Sequence, residues 1–227
     1  MVSLITEGSA TDRDGNPFPR RRPELWLVLV LVLALVSLFV WITAFRTHDD
    51  SNEPMACNAP STPTATNAPQ PAALGARVGP DRLDEVDPAA LSESKVRVFN
   101  ANGKSGQAGA IASALADFGF AGAPGTQVGN DPVYVNSDLN CTGQIRFGVN
   151  GRPAAASVQL AAPCAELIED QRTDDTVDLV LGLGFGESLR PGADAEAVLR
   201  ALKNLAPGAS SSSIDPALLD AARTVQC

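Results

Sequence analysis

The sequence places a lysine and a hydroxyl between glycines at a position where phosphate-binding loops occur. This stretch joins a predicted strand to a predicted helix and consists of Asn102, Gly103, Lys104, Ser105 and Gly106. A phosphate loop also needs a glycine five residues before the glycine of the Gly-Lys pair, and Val98 occupies that position. A glycine turn followed by a helix cap is the alternative interpretation. Because helix N-termini bind anions, these five residues are a candidate site for a ligand that carries phosphate or carboxylate.

Acidic residues form a second candidate group. They are Glu166, Glu169, Asp170, Asp174, Asp175 and Asp178. Converging carboxylates carry out acid–base chemistry or bind cations, and a solvated face is the ordinary alternative. The chain has one histidine, His48, in a proline-rich segment, which excludes a Ser-His-Asp arrangement and most zinc sites. We predict no catalytic residues, no metal site and no cofactor, with an enzyme that uses the acidic group or the turn at 102–106 as the alternative.

A glycine-rich stretch at Gly182–Gly186 resembles a dinucleotide-binding loop. Glu187 stands where such a loop needs its third glycine. Glycine also lets the end of a strand pack closely against a neighbouring backbone, and we favour this structural interpretation.

Four cysteines follow the apolar segment described below, namely Cys57, Cys141, Cys164 and Cys227. In an oxidising compartment they predict two disulfides, for which three pairings exist. Cys141 precedes a predicted strand, and Cys164 lies late in the predicted helix that follows. A helix that packs back on its strand returns to the start of that strand, which favours pairing Cys141 with Cys164 and Cys57 with Cys227.

The composition argues against nucleic-acid binding. The 227 residues carry a formal net charge of -9, and aromatic residues make up 5% of the chain. Phosphate contacts need a basic face, and base stacking needs aromatic side chains. We therefore expect no nucleic acid among the partners.

An uncharged apolar run, Leu25–Phe45, has the length of a transmembrane helix. At about 1.5 Å per residue it spans roughly the 30 Å of a bilayer's hydrocarbon core. Arg20 to Arg22 precede the run, whereas Arg46 is the one arginine that closely follows it. Basic residues favour the cytoplasmic side, so we predict a single-pass protein of the cell membrane with its C-terminal domain outside the cytoplasm.

The predicted organisation has four parts. Residues 1–24 are a cytoplasmic tail, 25–45 the transmembrane helix, 46–90 a Pro/Ala/Thr-rich linker and 91–227 the extracytoplasmic domain. The linker has too few apolar residues to offset the entropy of ordering, and its prolines favour extended conformations.

The pattern of apolar residues in the domain predicts the order β-α-β-β-α-β followed by two helices. Strand-like alternation occurs at Lys95–Asn100 and Gln144–Val149, and a buried apolar run at Thr176–Phe185. Helical spacing occurs at Gly106–Phe118 and Ala154–Ile168. This order is typical of an α/β two-layer sandwich with helices on one face of the sheet, either ferredoxin-like or, as the alternative, a small doubly wound sheet.

The stretch from Val96 to Phe120 resembles the start of the LytR C-terminal domain family. That family begins with a strand, an asparagine-containing turn with glycine, a helix with small residues and a Gly-Phe pair. Here the corresponding positions are Val96–Phe99, Asn100, Gly103, Gly106–Leu115 and Gly119-Phe120. The apolar strand that ends at Gly182–Phe185 is similar to the family's final strand, so the resemblance covers about residues 95–187.

The resemblance implies a role in cell-envelope integrity and carries over no catalytic residues. Such domains occur behind phosphotransferase domains and also alone on membrane anchors. The anchor, linker and four cysteines resemble the stand-alone actinobacterial form, which is also linked with virulence. We expect a non-catalytic, disulfide-braced domain whose partners are the membrane and a cell-wall polymer or envelope-assembly proteins. An envelope enzyme that acts on a wall polymer is the alternative, and a regulatory adaptor that acts through the membrane helix is a third option.

Overall fold

The computed structural model describes residues 24–49, 56–64, 70–206, 208–209, 211–224 and 227. The chain separates into two compact units, Met1–Ser51 and Asn52–Cys227. The predicted cytoplasmic tail lies outside the described residues apart from Glu24, and so do Arg20 to Arg22, on which the predicted orientation depends.

The first unit is described as one helix, α1 (Glu24–Asp49), which contains the predicted segment Leu25–Phe45. The large apolar side chains described between Trp26 and Trp41 are each at least half exposed. Within the described part of the chain, no helix meets the combined length and hydropathy that a membrane crossing requires.

The second unit is built on a mixed sheet of seven strands among the described residues. They are β1 (Ala76–Val78), β2 (Lys95–Asn100), β3 (Ala121–Gly122), β4 (Val128–Asn130), β5 (Gly143–Phe147), β6 (Glu166–Glu169) and β7 (Val177–Leu181). The strand order is β1-β6-β5-β7-β2-β3, and β4 pairs with β2 beyond β3. Strand β2 is parallel to β3, β4 and β7, and β5 is parallel to β6, whereas β5–β7 and β1–β6 are antiparallel.

The two faces of the sheet differ in chemistry because successive side chains of a strand point to opposite sides. One face, here called the helical face, carries apolar side chains that join the main core, such as Val98, Ile145 and Leu179. The opposite face, here called the polar face, is defined by Arg97, Phe99, Gln144, Arg146, Asp178 and Val180.

Helices cover the helical face. They are α2 (Gln107–Phe118), α3 (Arg152–Ala161), α4 (Ala193–Lys203) and α5 (Pro216–Arg223), and all four contribute to the main core. Helix α2 buries Ala108, Ile111 and Leu115, whose spacing of three and four residues puts them on one side of the helix. Gly119 ends this helix with a φ of 113°, a conformation that favours glycine.

The predicted two-layer α/β class is confirmed, and the sheet differs from both detailed alternatives. Helices α2, α3 and α4 share one core on one face, which a doubly wound sheet would not allow. A ferredoxin-like sheet uses the four strands of the β-α-β-β-α-β unit. Here β6 follows α3 directly and lies between β5 and β1, so the strand order is not ferredoxin-like.

The helix predicted over Ala154–Ile168 is too long. Helix α3 ends at Ala161, and Glu166 begins β6. Pro163 has no N–H and disfavours the helical conformation of the residue before it, so the helix cannot continue through this point. The four residues of β6 are too few to show a clear alternation in the sequence.

The predicted linker at 46–90 is also shorter in the structure. Helix α1 reaches Asp49, and β1 lies inside the predicted linker. Cys57, Leu83 and Ala90 are at most 3% exposed, so this segment contributes buried residues to the second unit. The described contacts of the domain therefore begin well before residue 91.

The structure corrects the predicted disulfide pairing. The bonds are Cys57–Cys141 and Cys164–Cys227, and the described cysteines include no free thiol. Cys141 packs in a small apolar cluster with Cys57, Tyr134 and Val180 on the side of the polar face. Helix α3, after which Cys164 follows, packs on the helical face. The pairing of Cys141 with Cys164 is wrong because the prediction considered the direction of the strand and not the two faces of the sheet.

Candidate functional site

The candidate turn at 102–106 joins β2 to α2 and is fixed to the loop that follows β7. The amide of Asn102 donates to the carbonyl oxygen of Gly182 at 2.8 Å, and its Oδ1 accepts from the N–H of Lys104 at 2.9 Å. The ammonium of Lys104 donates to the carbonyl oxygen of Phe185 at 3.3 Å. The two glycine-rich stretches that stand out in the sequence therefore bind each other.

Helix α2 begins at Gln107, one residue later than the helical spacing at Gly106–Phe118 predicts. Gly106 is the N-cap residue with a φ of 79°, and the described side chains supply no capping hydrogen bond there. Gly103 also has a positive φ, of 72°, which is readily available to glycine. Ser105 and Lys104 are exposed. The turn thus has a structural explanation, and anion binding by Asn102–Gly106 stays a prediction.

The predicted close packing at Gly182 is confirmed. A side chain at this position would meet the carbonyl oxygen of Cys141. The N–H of Gly184 donates to the same oxygen at 2.9 Å, so the backbone after β7 lies directly against the segment that precedes β5.

Every carboxylate of the acidic group has a polar partner, and Asp170 and Asp178 share Arg172. The partners are Arg77 for Glu166, Arg82 and Arg152 for Glu169, Arg172 for Asp170 and Asp178, Arg97 for Asp178, Thr176 for Asp174 and Lys95 for Asp175. Among the described residues, no three His, Cys, Asp or Glu side chains are grouped to hold a metal ion. Five of the six acids lie in ion pairs, and Asp174 is hydrogen-bonded to Thr176, as in a structural network.

Two of these acids have lowered pKa values. Burial opposes the ionisation of Glu169, but hydrogen bonds from Arg152 and Arg82 outweigh it and lower the pKa of this carboxyl. The hydroxyl and the backbone N–H of Thr176 lower the pKa of Asp174. Neither pKa moves toward neutrality, where a general acid or base works best.

The polar face contains a buried ion pair that the sequence analysis does not identify. The guanidinium of Arg146 donates to the two carboxylate oxygens of Asp131 at 2.7 and 3.2 Å. It also donates to Oε1 of Gln144, whose amide donates to Glu166 at 3.0 Å. These bonds extend one network across β5 and β6.

A second network lies beside the first on the same face. Asp178 of β7 accepts from Arg97 at 2.5 Å and from Arg172 at 2.7 Å. Arg172 also donates to both oxygens of Asp170, which joins the loop after β6 to the sheet. Burial opposes the charge of Arg172, but these carboxylates outweigh it and raise its pKa further above its usual range.

A cavity of about 650 Å³ lies over the polar face. Arg97, Arg146 and Asp178 line it from the sheet, and Arg172 lines it from the loop after β6. Residues 72–76, which lead into β1, also line it. Of the sequence-predicted candidates, Asp170, Asp174, Asp178 and Glu169 reach this cavity, whereas the turn at 102–106 does not line it.

Comparison with known proteins gives the family. Residues 93–185 match the family model described as LytR cell envelope-related transcriptional attenuator. The cell envelope integrity protein Cei of Mycobacterium tuberculosis is 45% identical over 219 residues, which cover 96% of each chain. The chain belongs to the LytR C-terminal domain family.

A solved structure agrees with this assignment. The chain is similar to the crystal structure of the soluble domain of a conserved hypothetical secreted protein from Mycobacterium marinum, with 45% identity and a TM-score of 0.60. The similarity covers 68% of this chain and 99% of that one. Disulfides persist in oxidising compartments, so the two bonds of this LytR C-terminal domain fit an extracytoplasmic location.

The arginines of the polar face are the functional candidates that the sequence analysis misses. Arg97, Arg146 and Asp178 each alternate with buried apolar residues in their strands, which is the signal that places them on one face. The signal becomes informative only once the strand order is known, because β5, β7 and β2 are far apart in the sequence.

Proposed function

We propose that this chain is a membrane-anchored, non-catalytic protein that maintains the cell envelope by binding a wall polymer or a wall-assembly protein. The similarity to Cei, at 45% identity across 96% of both chains, is the observation that carries this proposal. The name of that relative states envelope integrity, and the similarity extends over almost the entire length of both proteins.

The anchor in this proposal is the apolar part of α1. The large apolar side chains described between Trp26 and Trp41 are each at least half exposed, a surface that lipid would match. The three arginines before it and the four disulfide-bonded cysteines after it agree on one orientation, with the domain outside the cytoplasm.

A non-catalytic role is supported by the hydrogen bonds and ion pairs that the candidate catalytic side chains already make. The six acids of the candidate group are hydrogen-bonded or ion-paired, and the lowered pKa values of Glu169 and Asp174 favour permanent charge. The lysine of the candidate turn binds a backbone carbonyl. Binding, rather than bond breaking, is the activity that such a surface supports best.

The test is a deletion strain, in which envelope damage is measured as dye uptake and detergent sensitivity. The wild-type chain should restore both, and it should be retained on purified wall polymers or crosslink to envelope proteins in intact cells. A chain that restores the envelope yet engages neither would contradict the binding proposal.

Variants separate binding from catalysis. Lys104→Gln with Ser105→Ala changes exposed residues, and separately Asp175→Asn changes a half-exposed one; all lie outside the cavity, and both variants should restore the envelope fully. A folded variant of either kind that fails would favour the envelope enzyme. Replacing Leu25–Phe45 by an unrelated apolar helix of equal length should also restore function, and failure there would favour an adaptor that acts through the membrane helix.

A further inference from the structure

The cavity over the polar face is preformed. At about 650 Å³ it falls within the range of small-molecule and cofactor sites. Residues 70–75, here called the strap, lead into β1, and Ala72 to Gly75 line the cavity. A side chain at Gly75 would meet the backbone of Glu169, so the strap lies directly against the end of β6. The N–H of Ala72 donates to the carbonyl oxygen of Pro132 at 3.0 Å, which fixes the other end of the strap.

The chain before the strap is held to the same face. Cys57 is bonded to Cys141, and the carbonyl oxygens of Cys57 and Asn58 accept from the guanidinium of Arg77 in β1. The hydroxyl of Tyr134 donates to the carbonyl oxygen of Asn58 at 2.6 Å. Because the strap is already held in place, a ligand that binds beside it does not lose the entropy of ordering it. This favours a higher affinity.

The charged network at the cavity is balanced once its ion-pair partners are included. The lining itself holds three basic residues, Arg97, Arg146 and Arg172, and four acids, Glu169, Asp170, Asp174 and Asp178. Arg146 is paired with Asp131 and Glu169 with Arg82 and Arg152, so the network as a whole has five basic and five acidic residues. The acids would repel an anionic ligand, and the arginines would repel a cationic one. A neutral ligand is therefore favoured.

The polar face stabilises the sheet less than an apolar face of the same volume commonly would. Arg146 and Asp178 are 4% and 6% exposed, and buried ion pairs commonly stabilise a fold less than well-packed apolar residues of the same volume. Arg97 and Asp170 of the same network keep 27% and 20% of their side chains exposed, so these two can offer an oriented donor and an oriented acceptor to a ligand in the cavity.

We propose that this cavity binds a neutral saccharide segment, an inference that rests on the proposed function and names the polymer chemistry it would recognise. A sugar hydroxyl both donates and accepts, so it can bond to guanidinium and carboxylate groups placed side by side. Leu74, Pro132 and Val133 add apolar lining that suits the C–H faces of sugar rings.

The test uses the full-length chain and measures affinity by titration calorimetry. The neutral probes are chitotetraose, cellotetraose and maltotetraose, and the charged probes are deacetylated chitotetraose, which is cationic, and sulfated cellotetraose, which is anionic. At least one neutral probe should bind at least tenfold more tightly than both charged probes.

The cavity is tested with a matched pair of variants. Ala73 is an exposed residue of the strap that lines the cavity, and Ala110 is an exposed residue of α2 that does not. Ala73→Trp should weaken the neutral probe at least tenfold, whereas Ala110→Trp should leave its affinity within twofold. Unfolding of each variant in urea verifies that both are folded.

Three results would overturn the inference: no neutral probe binds, a charged probe binds as tightly as the neutral ones, or Ala73→Trp has no effect. A protein partner that Ala73→Trp displaces, with no saccharide bound, would overturn it as well. If the saccharides fail while the wild-type chain restores the envelope of the deletion strain, the cavity assignment fails and the proposed function stands. If the wild-type chain does not restore the envelope, the proposed function fails.

Discussion

Arg146 and Asp131 form an ion pair that is almost completely removed from solvent. Their side chains are 5% and 0% exposed, and the guanidinium contacts both carboxylate oxygens. The pair connects the central strand β5 to the segment that follows β4, and this segment continues to Cys141 of the first disulfide.

Arg146→Met should destabilise the fold strongly. It leaves the carboxylate of Asp131 buried without its cation, and removing one partner of a buried pair costs roughly 3–5 kcal/mol in the free energy of unfolding. Lys95→Met is the matched control, because the Lys95–Asp175 pair is 42% and 49% exposed and such a pair contributes about 0–1 kcal/mol. Urea unfolding at neutral pH measures both, and equal losses would contradict the importance of the buried pair.

The pH dependence of stability should contain a contribution from Glu169. Its pKa is lower in the folded chain than its ordinary value of 4.5, so the unfolded chain takes up the proton first as the pH falls. The contribution is present above pH 4.5 and is lost as the pH falls through the lowered folded pKa.

The matching substitution is Glu169→Gln, with the exposed Glu187→Gln as control. Glu169→Gln should destabilise the chain at pH 7 and cost progressively less as the pH is lowered below 4.5. Urea unfolding at several pH values checks this. A cost of Glu169→Gln that is the same at every pH would show that its ion pairs with Arg82 and Arg152 do not set this dependence.

The two disulfides should differ in what they hold in place. Replacing Cys57 and Cys141 together by serine opens a loop of 84 residues, and losing a native disulfide typically costs about 2–5 kcal/mol. The second bond, Cys164–Cys227, spans 63 residues, so its double serine variant should have a similar cost from chain entropy.

Hydrogen exchange distinguishes the two variants. Loss of Cys57–Cys141 should raise exchange in the strap and β1, because the segment with Asn58 would no longer be fixed to the polar face. Loss of Cys164–Cys227 should leave that region protected. Equal deprotection of the strap in both variants would mean that the hydrogen bonds of Arg77 and Tyr134 do not need the first disulfide.

The long elements of this fold are readable from the sequence, and the short ones are not. Strand β2 and helix α2 have a clear period and are predicted at nearly their observed positions. Strand β7 is predicted from the apolar run Thr176–Phe185, which contains it but extends four residues past its end at Leu181. Strands β1 and β3 have three and two residues, too few for any period, and they exist because a longer strand supplies their hydrogen bonds.

The candidate site, like the short strands, cannot be predicted from local sequence patterns. Asp178 pairs in register with Arg97 on one side and Arg146 on the other, although these residues lie in three separated strands. Each charge alone looks like an isolated polar residue in an apolar strand. Only the order β5-β7-β2 brings them together, and that order depends on long-range pairing that local patterns do not encode.

The turn at 102–106 offers the sharpest separation of a structural role from a binding role. Asn102 is 7% exposed and satisfies the carbonyl of Gly182 and the N–H of Lys104, so Asn102→Ala should cost about 1–3 kcal/mol by leaving buried groups unpaired. Lys104→Ala removes an exposed side chain and should change stability by no more than about 0.5 kcal/mol.

If the turn is structural, inorganic phosphate raises the melting temperature of the wild-type and Lys104→Ala chains equally or not at all. A phosphate-dependent rise that is present in the wild-type chain and absent from Lys104→Ala would instead establish the anion site that the sequence of this turn predicts.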